Sequence, residues 1–269
     1  MTGPIAVATG AGITTITLHR PEARNAINLE MLVRLREAMA VAGADPDVGA
    51  VILTGAGPAF CAGLDLKELG GPGPRIDLTG ATAAGDDHCP WEPIGKPIVG
   101  AVNGPAVTGG LEFALHCDIL LASETAVFAD THTRVGVMPG WGLSVLLPRA
   151  VGRGMARRMS LTGEFIDART ALRCGLVTEV VVPDRLLDRV RDVASAIAGN
   201  DREAVTALLA SYRGIEREVI AGGFLREAET ARIWAASGTD HAARASRRRD
   251  EVMLRGRRNL DTATDLTAN

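Results

Sequence analysis

Two glycine turns constrain this chain more than any other feature: Ala59-Phe60-Cys61-Ala62-Gly63-Leu64-Asp65 and Asn103-Gly104-Pro105-Ala106-Val107-Thr108-Gly109-Gly110-Leu111-Glu112. Each follows an apolar run that reads as a buried strand, Ala50-Val51-Ile52-Leu53 before the first and Pro97-Ile98-Val99-Gly100-Ala101-Val102 before the second. Each also leads into a stretch with helical character. Glycine lets backbone approach a ligand closely, and the first amides of a helix have no intrahelical acceptor. Two such turns side by side can aim two N–H donors at one oxygen, which is how a carbonyl is held while it becomes an enolate or oxyanion.

Composition narrows the frame. A chain of 269 residues fits one large domain, or a main domain with a smaller appendage. Hydrophobic residues make up 46% and aromatics only 3%, so the core is expected to be built mainly from Ala, Val, Leu and Ile. A formal net charge of −3 argues against a dedicated nucleic-acid binder. The basic cluster from Arg244 to Arg258 is interrupted by Asp250 and Glu251 and reads as the solvated face of a terminal helix rather than an RNA or phosphate site. Cys61, Cys89, Cys117 and Cys174 lack CxxC spacing, so neither a zinc site nor a redox pair is signalled. No leader pattern is evident, and no apolar run reaches the roughly 18 residues of a membrane helix. A reducing cytoplasm is the expected setting.

Along the chain, Ile5 to Leu18 alternates as a hairpin around Gly10 and Gly12. Asn28 is placed to cap a helix whose apolar stripe is Met31, Leu32, Leu35 and Met39. Gly70 to Gly95 is long for a structureless loop and is expected to be a partly helical wall. A strand is expected at Asp118 to Ala122, a shorter one at Ala126 to Ala129, and a helix from Trp141 to about Leu161 broken near Gly152. A short helix at Ala168 to Arg173 and a strand at Leu176 to Val182 follow. Beyond Pro183 only helical patterns remain, at Leu186 to Ala198, Arg202 to Tyr212, Val219 to Ala236 and Ala242 to Gly256. Strands with helices first and helices alone afterward predict an α/β core with a helical tail.

The two turns also carry a resemblance. The first is similar to the AFCAGxDxxE segment of the crotonase superfamily, the enoyl-CoA hydratase/isomerase family, with Glu68 in the final place, and the second to its NGxAxGGxxE segment. Gly136-Val137-Met138-Pro139-Gly140-Trp141-Gly142-Leu143, Leu161-Thr162-Gly163-Glu164 and Ala171-Leu172-Arg173-Cys174-Gly175-Leu176-Val177 resemble further family segments, in the family's order and spacing. The resemblance implies a crotonase-type spiral of ββα units over residues 1–200, holding an acyl-CoA site. Residues 201–269 would then form a C-terminal helical oligomerisation region, in a homotrimer or dimer of trimers.

The resemblance implies that the Leu64 and Gly109 amides form the oxyanion hole for the thioester carbonyl. Thr108 stands where many members carry a further glycine. Glu112, three residues after Gly109, lies in the first turn of the expected helix and matches the family's first catalytic glutamate. A first-turn glutamate also complements a helix dipole, but an acid inside the apolar stretch Ala106 to Leu115 points to chemistry or pairing. His132 aligns where hydratases carry their second glutamate. If that segment is extended, Asp130 shares a face with His132 and can orient it, so His132 serves as acid or base or simply lines the pocket. Asp130 and His132 alone suggest no metal site.

For the coenzyme A end, the resemblance points to Arg24 near the phosphates and to Lys67 near the adenine. Ala62, Asp65 and Leu66 would add backbone and wall contacts, although both cations also read as ordinary surface charges. Trp141 walls the acyl pocket or belongs to the core. The implied reaction is hydration of a trans-2-enoyl-CoA to a 3-hydroxyacyl-CoA, with no cofactor besides the coenzyme A of the substrate. Double-bond isomerisation by a single acid/base and non-catalytic acyl-CoA binding are the alternatives.

Overall fold

The computed structural model describes residues 3–65, 68 and 89–237. The predicted hairpin is β1 (Ile5–Gly10) and β2 (Ile13–Leu18), paired antiparallel. Helix α1 (Leu29–Ala44) follows, with the Asn28 side chain accepting from the Met31 amide at 2.8 Å and Met31, Leu32, Leu35 and Met39 all buried. Strands β3 (Ala50–Gly55) and β4 (Ile98–Val102) lie next to each other and parallel. Then come β5 (Ala106–Val107), α2 (Gly109–Leu115), β6 (Ile119–Ser123), β7 (Val127–Ala129), α3 (His132–Val135) and α4 (Leu143–Thr162). The remainder is β8 (Phe165–Asp167), α5 (Ala168–Arg173), β9 (Glu179–Val181), α6 (Leu186–Ala198) and α7 (Arg202–Ala235).

The larger sheet has the order β1-β2-β3-β4-β6-β9 and is parallel from β2 onward. Parallel sheets are covered on both faces, so their central strands are apolar throughout. The period of two then divides the side chains: Val51 and Leu53 point into the core shared with α1, while Ala50 and Ile52 join Val99, Ala101 and Leu121 against Leu186, Val190 and Ala194 of α6. A smaller sheet, β5-β7-β8, pairs β5 with β7 in parallel, Ala106 with Phe128 and Val107 with Ala129. This register sets the second glycine turn beside the Asp130–His132 segment.

The expected break near Gly152 is there, at φ +77° and ψ +154° inside α4. The strand expected over Leu176 to Val182 is shorter, Glu179–Val181. The two tail helices expected at Arg202 to Tyr212 and Val219 to Ala236 are one helix. Gly214 costs only about 1 kcal/mol relative to Ala in a helix interior. Arg213, beside it, is anchored to both Asp118 carboxylate oxygens (3.1 and 3.0 Å) and to the Ile94 carbonyl. The tail helix expected at Ala242 to Gly256, the basic cluster and most of the Gly70 to Gly95 wall lie outside the described residues. Among those described, no helix is long and apolar enough to cross a membrane.

Candidate active site

Strands β3 and β4 release the chain at the same end of the sheet, the end where parallel sheets bind ligands. The first turn is stitched to the segment after Pro21: Ala62 N–H donates to the Arg24 carbonyl (3.0 Å), Ile27 N–H to Gly63 (2.7 Å) and Asp65 N–H to Ile27 (2.8 Å). N–H groups alternate sides along an extended segment, so the Leu64 N–H faces away from Ile27. In the second turn Thr108 N–H donates to the Ala129 carbonyl (2.8 Å), and the Thr108 carbonyl accepts from Glu112 N–H (3.0 Å). The Leu64 and Gly109 amides are left without a backbone acceptor among the described residues.

The turns lie against each other. Gly63 has φ +91°, and a Cβ there would sit 2.8 Å from the Val107 carbonyl oxygen and 3.6 Å from the Gly109 nitrogen. A Cβ on Gly110 would overlap the Cys61 carbonyl. Gly63 and Gly110, one in each motif, are thus answered by close backbone approach. Thr108 adopts φ +56° and ψ −113°, a conformation unfavourable for a β-branched residue. Its hydroxyl lies 2.6 Å from that of Thr131 and accepts from the Thr131 amide at 3.2 Å, which holds the turn where a glycine would need no hold.

Glu112 is 2% exposed. Its Oε1 accepts from the Trp141 amide at 2.8 Å, and its Oε2 stands 3.7 Å from Nε2 of His132, also 2% exposed. Burial dominates the Glu112 carboxyl and raises its pKa to about 7, against the opposing pull of His132; the Glu227 and Asp130 charges push the same way as burial. Burial disfavours the His132 imidazolium, but the charge and hydrogen bond of Asp130, joined by the Glu112 and Glu227 charges, outweigh it and raise its pKa above the usual value. Burial likewise works against the Asp130 carboxylate, and contact with His132 overcomes it and lowers that pKa.

Asp130 does meet His132, though not by sharing a strand face. Strand β7 ends at Ala129, His132 opens α3, and one Asp130 oxygen accepts from both the His132 amide (3.1 Å) and its Nδ1 (2.7 Å). A tight turn replaces the expected extended segment. Since an ionised carboxylate only accepts, Nδ1 carries the proton and Nε2 faces Glu112.

The Trp141 ring lies against Gly109, where a Cβ would be 3.4 Å from it, and tilts on Phe113 with centroids 5.6 Å apart. Trp91 meets Phe113 edge-on at 5.7 Å. A chain poor in aromatics therefore concentrates three of them behind Glu112. Arg24 is exposed, on the strip beside Ala62. The Asp65 carboxylate is held at 3.0 Å by Arg20, which also donates to the Ala26 carbonyl at 2.6 Å. Leu66 and Lys67 lie outside the described residues. Cys61 is buried with its thiol pKa raised to about 12, unsuited to a nucleophile. Sequence reasoning passed over the Thr131 hydroxyl, the Trp141 amide and Glu227, whose oxygens accept from the Gly142 and Ser144 amides at 2.6 Å each. No local motif announces any of them.

Comparison with known proteins agrees with this architecture. The enoyl-CoA hydratase/isomerase family profile matches residues 8–223. A probable enoyl-CoA hydratase of Rhizobium meliloti is 43% identical over 195 residues, 71% of this chain and 74% of the relative. An (E)-benzylidenesuccinyl-CoA hydratase of Thauera aromatica is 40% identical over 198 residues, 72% of this chain and 76% of the relative. The crystal structure of an enoyl-CoA hydratase from Mycobacterium smegmatis is 51% identical and superposes with a TM-score of 0.80, covering 88% of this chain and 100% of that one. With two glycine turns in contact, a buried glutamate behind them and a match over most of its length, this chain belongs to the crotonase-fold enoyl-CoA hydratase/isomerase family.

Proposed function

We propose that this protein adds water to a trans-2-enoyl-CoA to give a 3-hydroxyacyl-CoA. The observation that carries the reading is the contact of the two glycine turns, whose Leu64 and Gly109 amides have no backbone acceptor among the described residues, beside a buried Glu112–His132 pair 3.7 Å apart. The Leu64 and Gly109 amides polarise the thioester carbonyl and hold the enolate as water attacks the β-carbon. Glu112, as carboxylate, takes the proton of that water. His132, as imidazolium steadied by Asp130, delivers the proton that quenches the enolate at the α-carbon. The thioester is the electron sink, so the reaction as written calls on no metal or redox cofactor. Arg24, Ala62, Asp65, Leu66 and Lys67 take the coenzyme A end, and Trp141 walls the acyl pocket. A base and a separate acid suit hydration better than isomerisation, which needs one group shuttling a proton.

The test feeds 2-enoyl-CoA and 3-enoyl-CoA separately to the wild type, Glu112→Gln and His132→Ala. Formation of 3-hydroxyacyl-CoA from the 2-enoyl ester is expected, with kcat falling about 10²–10⁴-fold in each variant. Movement of the double bond without hydration favours the isomerase, and binding without turnover favours a non-catalytic member. A change of no more than about twofold in His132→Ala removes its role as acid.

Residues 201–269 serve assembly in this reading, as a homotrimer or dimer of trimers in the cytoplasm. Support comes from the exposed row Leu208, Tyr212, Ile215 and Val219 at helical spacing on α7, and none of the four cysteines is in a disulfide. Sedimentation is expected to give a trimer or hexamer mass; a concentration-independent monomer refutes the assembly.

A further inference from the structure

We propose that Glu227, on the far end of α7, is a positioning residue for Glu112: it pins the Trp141–Ser144 turn whose leading amide holds the Glu112 carboxylate. The proposal rests on the reading of Glu112 as base.

Both oxygens of Glu227 are used. Oε1 accepts from the Gly142 amide and Oε2 from the Ser144 amide, each at 2.6 Å, at the start of α4. Charged acceptors at a helix N-terminus make strong bonds, because unpaired amides and the helix dipole act together. An ordinary cap would come from the residue at the N-cap itself. That residue is Gly142, at φ +85° with no side-chain cap, so the capping carboxylate arrives from another element. Glu227 is 6% exposed, a costly place for a carboxylate serving only to end a helix.

The residue immediately before Gly142 is Trp141, whose amide donates to Glu112 at 2.8 Å while its carbonyl meets His116 Nε2, also at 2.8 Å. Helix α7 grips the same turn at one more point, where the Phe224 ring packs on Gly142, and it holds the segment leading into it, where Trp234 Nε1 donates to the Gly136 carbonyl at 3.1 Å. A shift of α7 is therefore passed through two consecutive amides to the carboxylate. Glu227 also acts by charge. The charged groups acting on Glu112 are His132 and Asp130 from the β7–α3 segment and Glu227 from α7. The Glu227 charge favours the protonated form of both Glu112 and His132. Removing it moves both limbs of the pH–rate profile to lower pH, a change that a purely structural cap would not cause.

The experiment measures kcat and KM against pH for Glu227→Gln, Glu227→Asp and Glu112→Gln. Glutamine keeps the size but places an NH₂ against one of the two amides. Glu227→Gln is expected to lose about tenfold or more in kcat with KM within about twofold, and its acid limb should fall to lower pH. Glu227→Asp keeps the charge, so its limbs should stay in place while kcat drops by a smaller factor. Wild-type kcat with unmoved limbs in Glu227→Gln overturns the proposal. Should that variant not fold, Glu227→Asp decides: reduced kcat supports the positioning role and wild-type kcat ends it. Wild-type turnover in Glu112→Gln instead overturns the assignment of the base, and the positioning role with it.

Discussion

The two turns reach the same task by different means. At Gly63 the left-handed backbone costs little, since the residue has no Cβ, and a neighbouring strand-like segment holds its flanks. At Thr108 a β-branched residue occupies the left-handed side of the map, a strain of about 1–3 kcal/mol. The Thr131 hydroxyl and amide compensate. The first turn is thus set by conformational permissiveness and the second by a polar clamp. The difference matters because the second turn borders the buried Glu112–His132 pair: Thr131 lies between Asp130 and His132, and Glu112 sits one turn along α2. Failure of the first turn should therefore spare the titration of that pair, and failure of the second should disturb it.

Gly63→Ala should break the first turn with the largest effect. The added methyl meets the Val107 carbonyl at 2.8 Å at an unfavourable φ, so the Leu64 donor is displaced. Losing one such donor should lower kcat about 10²–10³-fold. The acid limb should stay where the wild type has it. Glu112, titrating at about 7, must be ionised to accept a proton, so the rate should rise with pH and fall roughly tenfold between pH 8 and pH 6. Flattening of that limb in stopped-flow or steady-state profiles would show that Glu112 is not the titrating base. If His132 is the acid of the proposed mechanism, an alkaline limb should follow its loss of the proton, displaced upward because contact with Asp130 raises its pKa. Thr108→Val keeps the shape and the strain but removes the clamp. It should lower stability by about 1–3 kcal/mol in thermal unfolding and, unlike Gly63→Ala, should shift the acid limb. If both variants leave the limb unmoved, the two turns are equivalent and the contrast fails.

Both turns, the strands behind them and the capped helix α1 are legible in the sequence because they are built from short-range rules: apolar runs, glycine where backbones touch, an Asn at a helix start. Glu112 is legible too, as an acid within an apolar stretch next to a glycine turn. The His132–Asp130 contact was expected for the wrong geometric reason. Spacing of two suggests a shared strand face, whereas β7 stops one residue too early and a turn makes the contact. The continuous α7 was hidden by Gly214, because local propensity carries no record of Arg213 reaching Asp118 across the fold.

Glu227 shows the boundary most clearly. Its sequence neighbours, Arg226 and Glu229, pair with each other at the surface, and nothing nearby marks the carboxylate between them as buried. The sequence by itself determined which segments turn, which bury, and that an unusual acid stands beside a pair of glycine-rich loops, since each depends on neighbours within a few residues. Only the tertiary structure decided which distant groups tune that acid. The parallel pairing of β5 with β7 and the packing of α7 on α4 bring His132 and Glu227 to it, and electrostatic coupling depends on distance in space rather than along the chain.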